Sequence, residues 1–467
     1  MSTISAWKQS GPDRIRETIR KLKELQPVYH AAVTVIDPEK RIAELEKQSS
    51  RGPFYGVPVV LKDNVCMKDT ETTASSGILQ GFVPVYNAHV TDLLEKAGAI
   101  VIAKSSMDEL AMGGTNRTAF TGPVLNPYGK DRIPGGSSGG SAVLTSLGVV
   151  PLAIGTDTGD SIRKPAAYCN VVGVKPTYGR ISRYGVIPYA SSLDHVGYFT
   201  NNVSDAAYAL EILAGKDERD MTSSDEPVKE YSKNLGKDIR GKKIAVFGNV
   251  YDTLEDGEVK KTFDRVVRGF AEKGAVVEKR YMDEKLFSCV TVVYFIISNC
   301  EASSNHANLD GIRFGLQEDG DSYEDIMIKT RTKGFSTLIR ERFIIGSYGL
   351  FRKNREEIFL KAQKVRRLIV EDYHRMAEDF DVVIAPTCPH GAPKFEDDDD
   401  KTFRENNAPV NYLPIMNFSG DPSMSVPMGF EGEMPVGLCI SAKAFDEETM
   451  FETAYAAEQI VRAEENA

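Results

Sequence analysis

The side chains of this sequence that could carry nucleophilic chemistry are serines on two Gly/Ser-rich turns and a lysine at the end of an apolar run. Ser137 lies in the turn Gly135-Gly136-Ser137-Ser138-Gly139-Gly140-Ser141, which leads into a helix-like run from Ala142 that Gly148 closes. Ser161 ends a second turn, Gly155-Thr156-Asp157-Thr158-Gly159-Asp160-Ser161, reached directly from the strand-like apolar run Val149 to Ile154. Glycines let backbone N–H groups approach a ligand, and a helix start adds positive potential. A serine on a tight turn after a core strand is well placed as a nucleophile. Either turn alone also reads as a flexible Gly/Ser loop. A phosphate cradle is disfavoured, because GGSSGGS lacks the lysine and spacing of GxxxxGK[ST].

A nucleophilic serine needs a base. The six histidines, His30, His89, His195, His306, His374 and His390, sit in no motif that marks one as that base. In Gly56-Val57-Pro58-Val59-Val60-Leu61-Lys62-Asp63-Asn64 an apolar strand runs straight into a lysine. Desolvation lowers a lysine pKa, leaving neutral amine to accept a proton near pH 7. Taken alone, Lys62 reads as an ordinary strand-end lysine paired with Asp63 rather than as a base. Cys169, in Ala166-Ala167-Tyr168-Cys169-Asn170, reads as a core thiol because no base motif accompanies it.

The elements that must position these residues alternate between helix and strand. Residues 14–25 have amphipathic helical spacing, 31–35 a strand pattern and 39–48 a second helix; helix 88–97 precedes the apolar strand 99–103. Downstream, 205–214 reads as a helix with Ser204 as N-cap and Gly215 as stop, and 216–241 as a polar connection. Residues 243–247, 258–273 and 275–278 form a strand-helix-strand unit, with Phe263, Val267 and Phe270 on one helix face. The stripe Ile358, Ala362, Val365, Ile369, Tyr373 and Met376 predicts a long helix over 356–380, followed by a strand at 381–385. The pattern is that of an α/β layer protein.

Across 467 residues, 41% hydrophobic and 27% charged side chains suffice for a large core. A net charge of −10 argues against a broad nucleic-acid-binding face. The start MSTISAWKQSGPDRIR has no apolar segment and no run approaches a membrane span, so a cytoplasmic protein without membrane contact is expected. The six widely spaced cysteines, with no C-x-x-C pair, read as reduced thiols. The acidic run Glu396 to Asp400 reads as a solvated loop, and no metal site is expected.

Lys62 after GVPVVL, Ser137 in PGGSSGGS and Ser161 in TDTGxSIR together resemble the amidase signature family, since three separated motifs agree in order and spacing. The resemblance implies an α/β fold with a mixed central sheet covered by helices on both faces. It implies a single domain over residues 1–467, with core motifs at about 52–200 and a C-terminal part, 243–467, that completes the sheet and pocket. In that family the serine matching Ser161 is the acyl nucleophile, the serine matching Ser137 relays its proton and the lysine matching Lys62 is the base. The backbone N–H groups of Thr158, Gly159, Asp160 and Ser161 would form the oxyanion hole.

Further segments, SSLDHVG at 191–197, LEILAGKDERDMTSSD at 210–225, EASSNHANLDGIRFG at 301–315 and KAQKVRRLI at 361–369, are similar to the A-subunit branch, found in tRNA-dependent amidotransferases. This similarity implies a glutaminase supplying ammonia for the transamidation of Glu-tRNA or Asp-tRNA, with no cofactor in this chain. A B-like subunit would use ATP and Mg and hold the tRNA, and a small C-like subunit would clasp the two.

Two departures bear on activity. The family's turn reads TDTGGSIR, whereas Asp160 precedes Ser161 here. Asp can enter a left-handed conformation at a cost of roughly 1 kcal/mol. A carboxylate about 5 Å from a developing oxyanion opposes it by about 3 kcal/mol at an effective dielectric near 20, on the order of a hundredfold in rate. Secondly, the acid expected to hold a substrate ammonium is absent from Pro409-Val410-Asn411-Tyr412-Leu413; Asn411 offers a hydrogen bond without charge. Arg342 is either the partner of a substrate carboxylate or an ion-pair partner of Glu341. These departures keep two rivals open: a stand-alone amidase acting on another small amide, and a catalytically silent assembly subunit.

Overall fold

The computed structural model describes residues 3–8, 12–47, 51–397 and 411–465. Pro409, Val410 and residues 398–400 of the acidic run lie outside them. The apolar runs become strands buried over their whole length: β2 (Pro58–Lys62), β3 (Ile100–Ser105) and β4 (Leu152–Asp157). Near-continuous apolar sequence is what strands covered on both faces require.

With β1 (Ala32–Val35), β5 (Val172–Lys175), β6 (His195–Thr200), β7 (Lys243–Phe247), β8 (Val276–Arg280), β9 (Val382–Pro386), β10 (Ser423–Glu431) and β11 (Met434–Ala442), these build one eleven-stranded sheet. Its order is β1-β3-β2-β4-β6-β5-β10-β11-β9-β7-β8. The sheet is mixed: β2 runs parallel to both β3 and β4, and β7 parallel to both β8 and β9. The remaining pairs, such as β4 with β6, are antiparallel.

Alternation along the strands assigns the two faces. In β7, Ile244 and Val246 join a core that contains Phe263 and Phe270 of helix Glu258–Glu272 and Phe451 of helix Glu447–Glu465. Ala245 and Phe247 join another core, with Ile297 of helix Val290–Asn305, Ile339 of helix Thr337–Leu350 and Ile369 of helix Lys361–Ala377. Successive strand residues point to opposite faces, so helices cover both sides of the sheet.

Several boundaries differ from the sequence reading, the helix expected over 14–25 running from Pro12 to Tyr29 among them. The strand expected at 149–154 runs from Leu152 to Asp157, because Gly155, Thr156 and Asp157 continue the ladder opposite Gly197, Val196 and His195. Only residues 158–161 of the second turn are therefore irregular. Helix Val203–Leu213 is capped by Asn202, whose side chain accepts from the Asp205 N–H, and not by Ser204, which lies inside the helix. The long helix over 356–380 opens with a π turn at Glu356–Leu360 before the regular Lys361–Ala377. Lys62 ends β2 and Asp157 ends its parallel neighbour β4, so both stand at strand carboxyl ends, where open α/β sheets bind ligands.

Candidate active site

Lys62 is fully buried, and its amine is surrounded by oxygens. Nζ lies 2.8 Å from Ser137 Oγ, 2.8 Å from Ser138 Oγ and 2.9 Å from Thr156 Oγ1. No carboxylate is bonded to it among the described residues: Asp63 turns instead to Thr73, Ser75 and, at 3.6 Å, Lys104. The reading of Lys62 as paired with Asp63 is thereby corrected. Burial lowers the Lys62 pKa to about 7, against the weaker pull of the Asp108, Asp157, Asp194 and Asp160 carboxylates. A neutral amine near pH 7 follows from removal of water from the charged form.

The two hydroxyls beside Lys62 differ. Ser138 Oγ donates to the Thr156 carbonyl at 3.0 Å, so its proton already has an acceptor. Ser137 Oγ has no bonded partner other than Lys62 among the described residues. The Gly136–Ser137 peptide bond is cis. A Cβ at Gly136 would stand 2.0 Å from Asp108 Oδ2 and 2.7 Å from the Thr115 nitrogen, so only glycine fits beneath Ser137. Ser137 and Ser161 share no hydroxyl-hydroxyl hydrogen bond among the described residues; their turns are joined by the Ser138 N–H, which donates to the Ser161 carbonyl at 3.2 Å. Catalytic hydrogen bonds in ligand-free sites are often long and tighten when substrate binds.

The Ser161 turn is held from below. Asp157 takes the Arg163 guanidinium at 3.0 and 3.2 Å and the Ile162 N–H at 3.0 Å. Arg163 also donates to the Gly159 and Leu413 carbonyls and to Asn417 Oδ1. Asn417 Nδ2 returns to the Asp157 carbonyl and carboxylate. Burial pushes the Asp157 carboxyl up, but the Arg163 charge and hydrogen bonds outweigh it and hold the carboxyl well below its usual range. From the other side Asp194 accepts the Thr158 hydroxyl at 2.7 Å, and burial raises its carboxyl to about 6. The backbone N–H groups of Thr158, Gly159, Asp160 and Ser161 donate to nothing among the described residues. Buried amides are rarely left unpaired, so these four are available to a ligand oxygen.

Asp160 keeps an ordinary backbone; it is absent from the residues of positive φ, and the left-handed conformation considered for it is not used. Its carboxylate forms an ion pair with Lys164 and accepts from Asn411 Nδ2 at 2.9 Å. Asn411 is thus brought to the Ser161 turn. Tyr294 packs over the same turn, with its ring 2.7 Å from where a Cβ on Gly159 would stand. Arg342 donates to the Tyr189 hydroxyl at 3.1 Å and lies 5.4 Å from the Phe295 ring. Among the described residues it forms no ion pair with Glu341, which removes that reading of it. Arg342 Nε is buried without a hydrogen-bond partner.

No histidine is bonded to Ser137 or Ser161 among the described residues, and the nearby His195 is tied through Nδ1 to the Leu193 carbonyl. The six cysteines are free, five of them buried, and burial drives the Cys169 thiol far above its usual range, which fits a core role. Among the described residues no group of three or more His, Cys, Asp or Glu could hold a metal ion, and no helix is long and apolar enough to cross a membrane. A cavity of about 250 Å³ is lined by Asn64, Thr156, Tyr189, Asp194 and His195 among others, but not by Lys62, Ser137 or Ser161. Sequence reasoning misses Ser138, Lys164, Asp194, Tyr294 and Asn417. Only Lys164 carries a signal, four residues after Asp160 on a helical start.

The assembled groups suit acyl transfer. A family model for amidases matches residues 13–451. The A subunit of the glutamyl-tRNA(Gln) amidotransferase of Pediococcus pentosaceus is 42% identical over 455 residues, covering 95% of this chain and 92% of the relative. That of Methanosarcina mazei is 39% identical over 447 residues, covering 96% and 92%. The crystal structure of the corresponding Thermotoga maritima protein, also a glutamyl-tRNA(Gln) amidotransferase A subunit, superposes with a TM-score of 0.81 at 32% identity, covering 98% of this chain and 94% of that one. The native peptide amidase of Stenotrophomonas maltophilia superposes with a TM-score of 0.81 at 27% identity, covering 96% and 93%. With a family model spanning most of its length and such identity to relatives across nearly all of it, this protein belongs to the amidase signature family.

Proposed function

We propose that the chain hydrolyses the side-chain amide of glutamine through an acyl-enzyme on Ser161 and releases ammonia for transamidation of Glu-tRNA(Gln) or Asp-tRNA(Asn) within a larger complex. The observation that carries this reading is the 2.8 Å contact of a buried, readily deprotonated Lys62 with Ser137. The neutral amine uses its two N–H bonds on Ser138 Oγ and Thr156 Oγ1 and turns its lone pair to the Ser137 hydroxyl. Ser137 passes its proton to Lys62 while taking that of Ser161, whose Oγ attacks the amide carbon. The amides of residues 158–161 hold the oxygen that becomes negative. Collapse of the intermediate breaks the C–N bond, and the proton returns from Lys62 through Ser137 to the departing nitrogen, giving ammonia. Water then cleaves the ester by the same relay and frees glutamate.

Arg342 is proposed to hold the substrate carboxylate, and Asn411 to accept a hydrogen bond from the substrate ammonium without supplying a charge. ATP and Mg would serve a B-like subunit, which would also carry the tRNA, and a C-like subunit would complete the assembly. The names of the relatives, amidotransferase A subunits, support this placing. Ser161→Ala tests it: glutamine hydrolysis and acyl-enzyme trapping should both vanish, and hydrolysis at the parent rate would overturn the assignment.

A second reading, hydrolysis of another small amide without partners, is favoured by the uncharged Asn411 and by Asp160 in the turn. It predicts full activity of the isolated chain with no response to a B-like subunit.

A further inference from the structure

A carboxylate directly before Ser161 should oppose negative charge developing at the turn's own amides. The structure shows what offsets it. The Asp160 carbonyl accepts the Lys164 N–H at 2.9 Å, so one helical turn sets Lys164 above Asp160. The two side chains meet as an ion pair at Oδ2, the oxygen that also accepts from Asn411 Nδ2 at 2.9 Å. Asp160 is 11% exposed at its side chain and Lys164 23%, so little water remains to screen the carboxylate if its partner is removed. Lys164 Nζ would stand 3.3 Å from a Cβ on Gly114, whose carbonyl accepts the N–H of Gly136 next to Ser137. The ammonium therefore lies between Asp160 and Gly114, whose carbonyl is bonded to the Ser137 turn.

We propose that Lys164 is a positioning residue for amide hydrolysis: its ammonium cancels the Asp160 carboxylate, and with Asn411 it holds that side chain off the turn, so that the amides of residues 158–161 can stabilise an oxyanion. The inference rests on the Ser161 acyl-enzyme reading. It makes Asp160 and Lys164 a matched pair, in which losing the cation alone is worse than losing both charges.

The test uses the full chain with Lys164→Met, Lys164→Arg, Asp160→Asn and the double variant Asp160→Asn/Lys164→Met. Each is assayed for glutamine hydrolysis and for its rate of inactivation by a serine-directed fluorophosphonate, which needs the same turn but no glutamine site. Lys164→Met should lower kcat and the phosphonate rate by roughly tenfold to a hundredfold, with KM changed less than about threefold. Lys164→Arg should keep most activity, and the double variant should recover to within about threefold of Asp160→Asn. A Lys164→Met enzyme as active as the parent, or a double variant as impaired as Lys164→Met, overturns the proposal. Lys164→Gln replaces the Met variant if the latter does not fold. Phosphonate labelling that survives Ser161→Ala would instead overturn the underlying reading.

Discussion

Among the described residues two strands, β2 and β5, close on a fully buried lysine, and only one of the two is equipped for catalysis. Lys62 at the end of β2 and Lys175 at the end of β5 are both fully buried, and burial lowers each to a pKa of about 7. Lys62 is ringed by the hydroxyls of Ser137, Ser138 and Thr156. Lys175 reaches the carbonyls of Asp421, at 2.6 Å, and Pro176, and no hydroxyl among the described residues. A carbonyl has no proton to give, so Lys175 has nothing to deprotonate, whereas Lys62 faces a serine whose hydroxyl proton is uncommitted. A lowered lysine pKa therefore marks a candidate base only where a donor stands within reach.

The largest expected effect tests the β2 side of the contrast. Lys62→Met should lower kcat/KM by about 10³ to 10⁴ and remove the acid limb of the pH profile. In the parent that limb should rise with pH through about 7, because the neutral amine is the active form. Arg163→Met, which leaves buried Asp157 without its cation, should cost about 3–5 kcal/mol of stability in a denaturant titration. The serines come next. Ser137→Ala should reduce turnover roughly a hundredfold or more, while Ser138→Ala, whose proton is held by the Thr156 carbonyl, should cost about tenfold; equal losses would break the distinction between them. The smallest effect belongs to Lys175→Met, with turnover expected within about threefold of the parent. Its signature lies in stability. The folded-state pKa of Lys175 is depressed, so the unfolded chain binds the extra proton between about 7 and 10.5, and stability rises with pH across that window. The substitution should flatten this slope by about 1.4 kcal/mol per pH unit.

How much of the site can be read from the sequence follows the same division. Lys62, Ser137 and Ser161 each sit in a short local motif, and the apolar runs around them announce the central strands and the two-faced sheet. The strand before Ser161 reads too early because Gly155 and Thr156 resemble a turn until β6 pairs with them. Ser204 reads as a cap because a helix start accepts Ser or Asn alike, and Asn202 is the one whose side chain reaches the Asp205 N–H. Asn417, Asp194 and Tyr294 act only through contacts across the fold, and no spacing announces such contacts. Asp160 looks prohibitive only when its charge is judged without its partner, although Lys164 stands four residues on.

The grip of Asn417 on Arg163 and Asp157 joins positions 254 residues apart in the chain. A nascent polypeptide emerging at about 5–20 residues per second would thus carry its reactive serine for roughly 10–50 s before Asn417 was made. During that interval the turn lacks the support that shapes it. The amidase should therefore fall silent in any fragment truncated ahead of Asn417, and its hydrolytic power should reach the cell only with a nearly finished translation product.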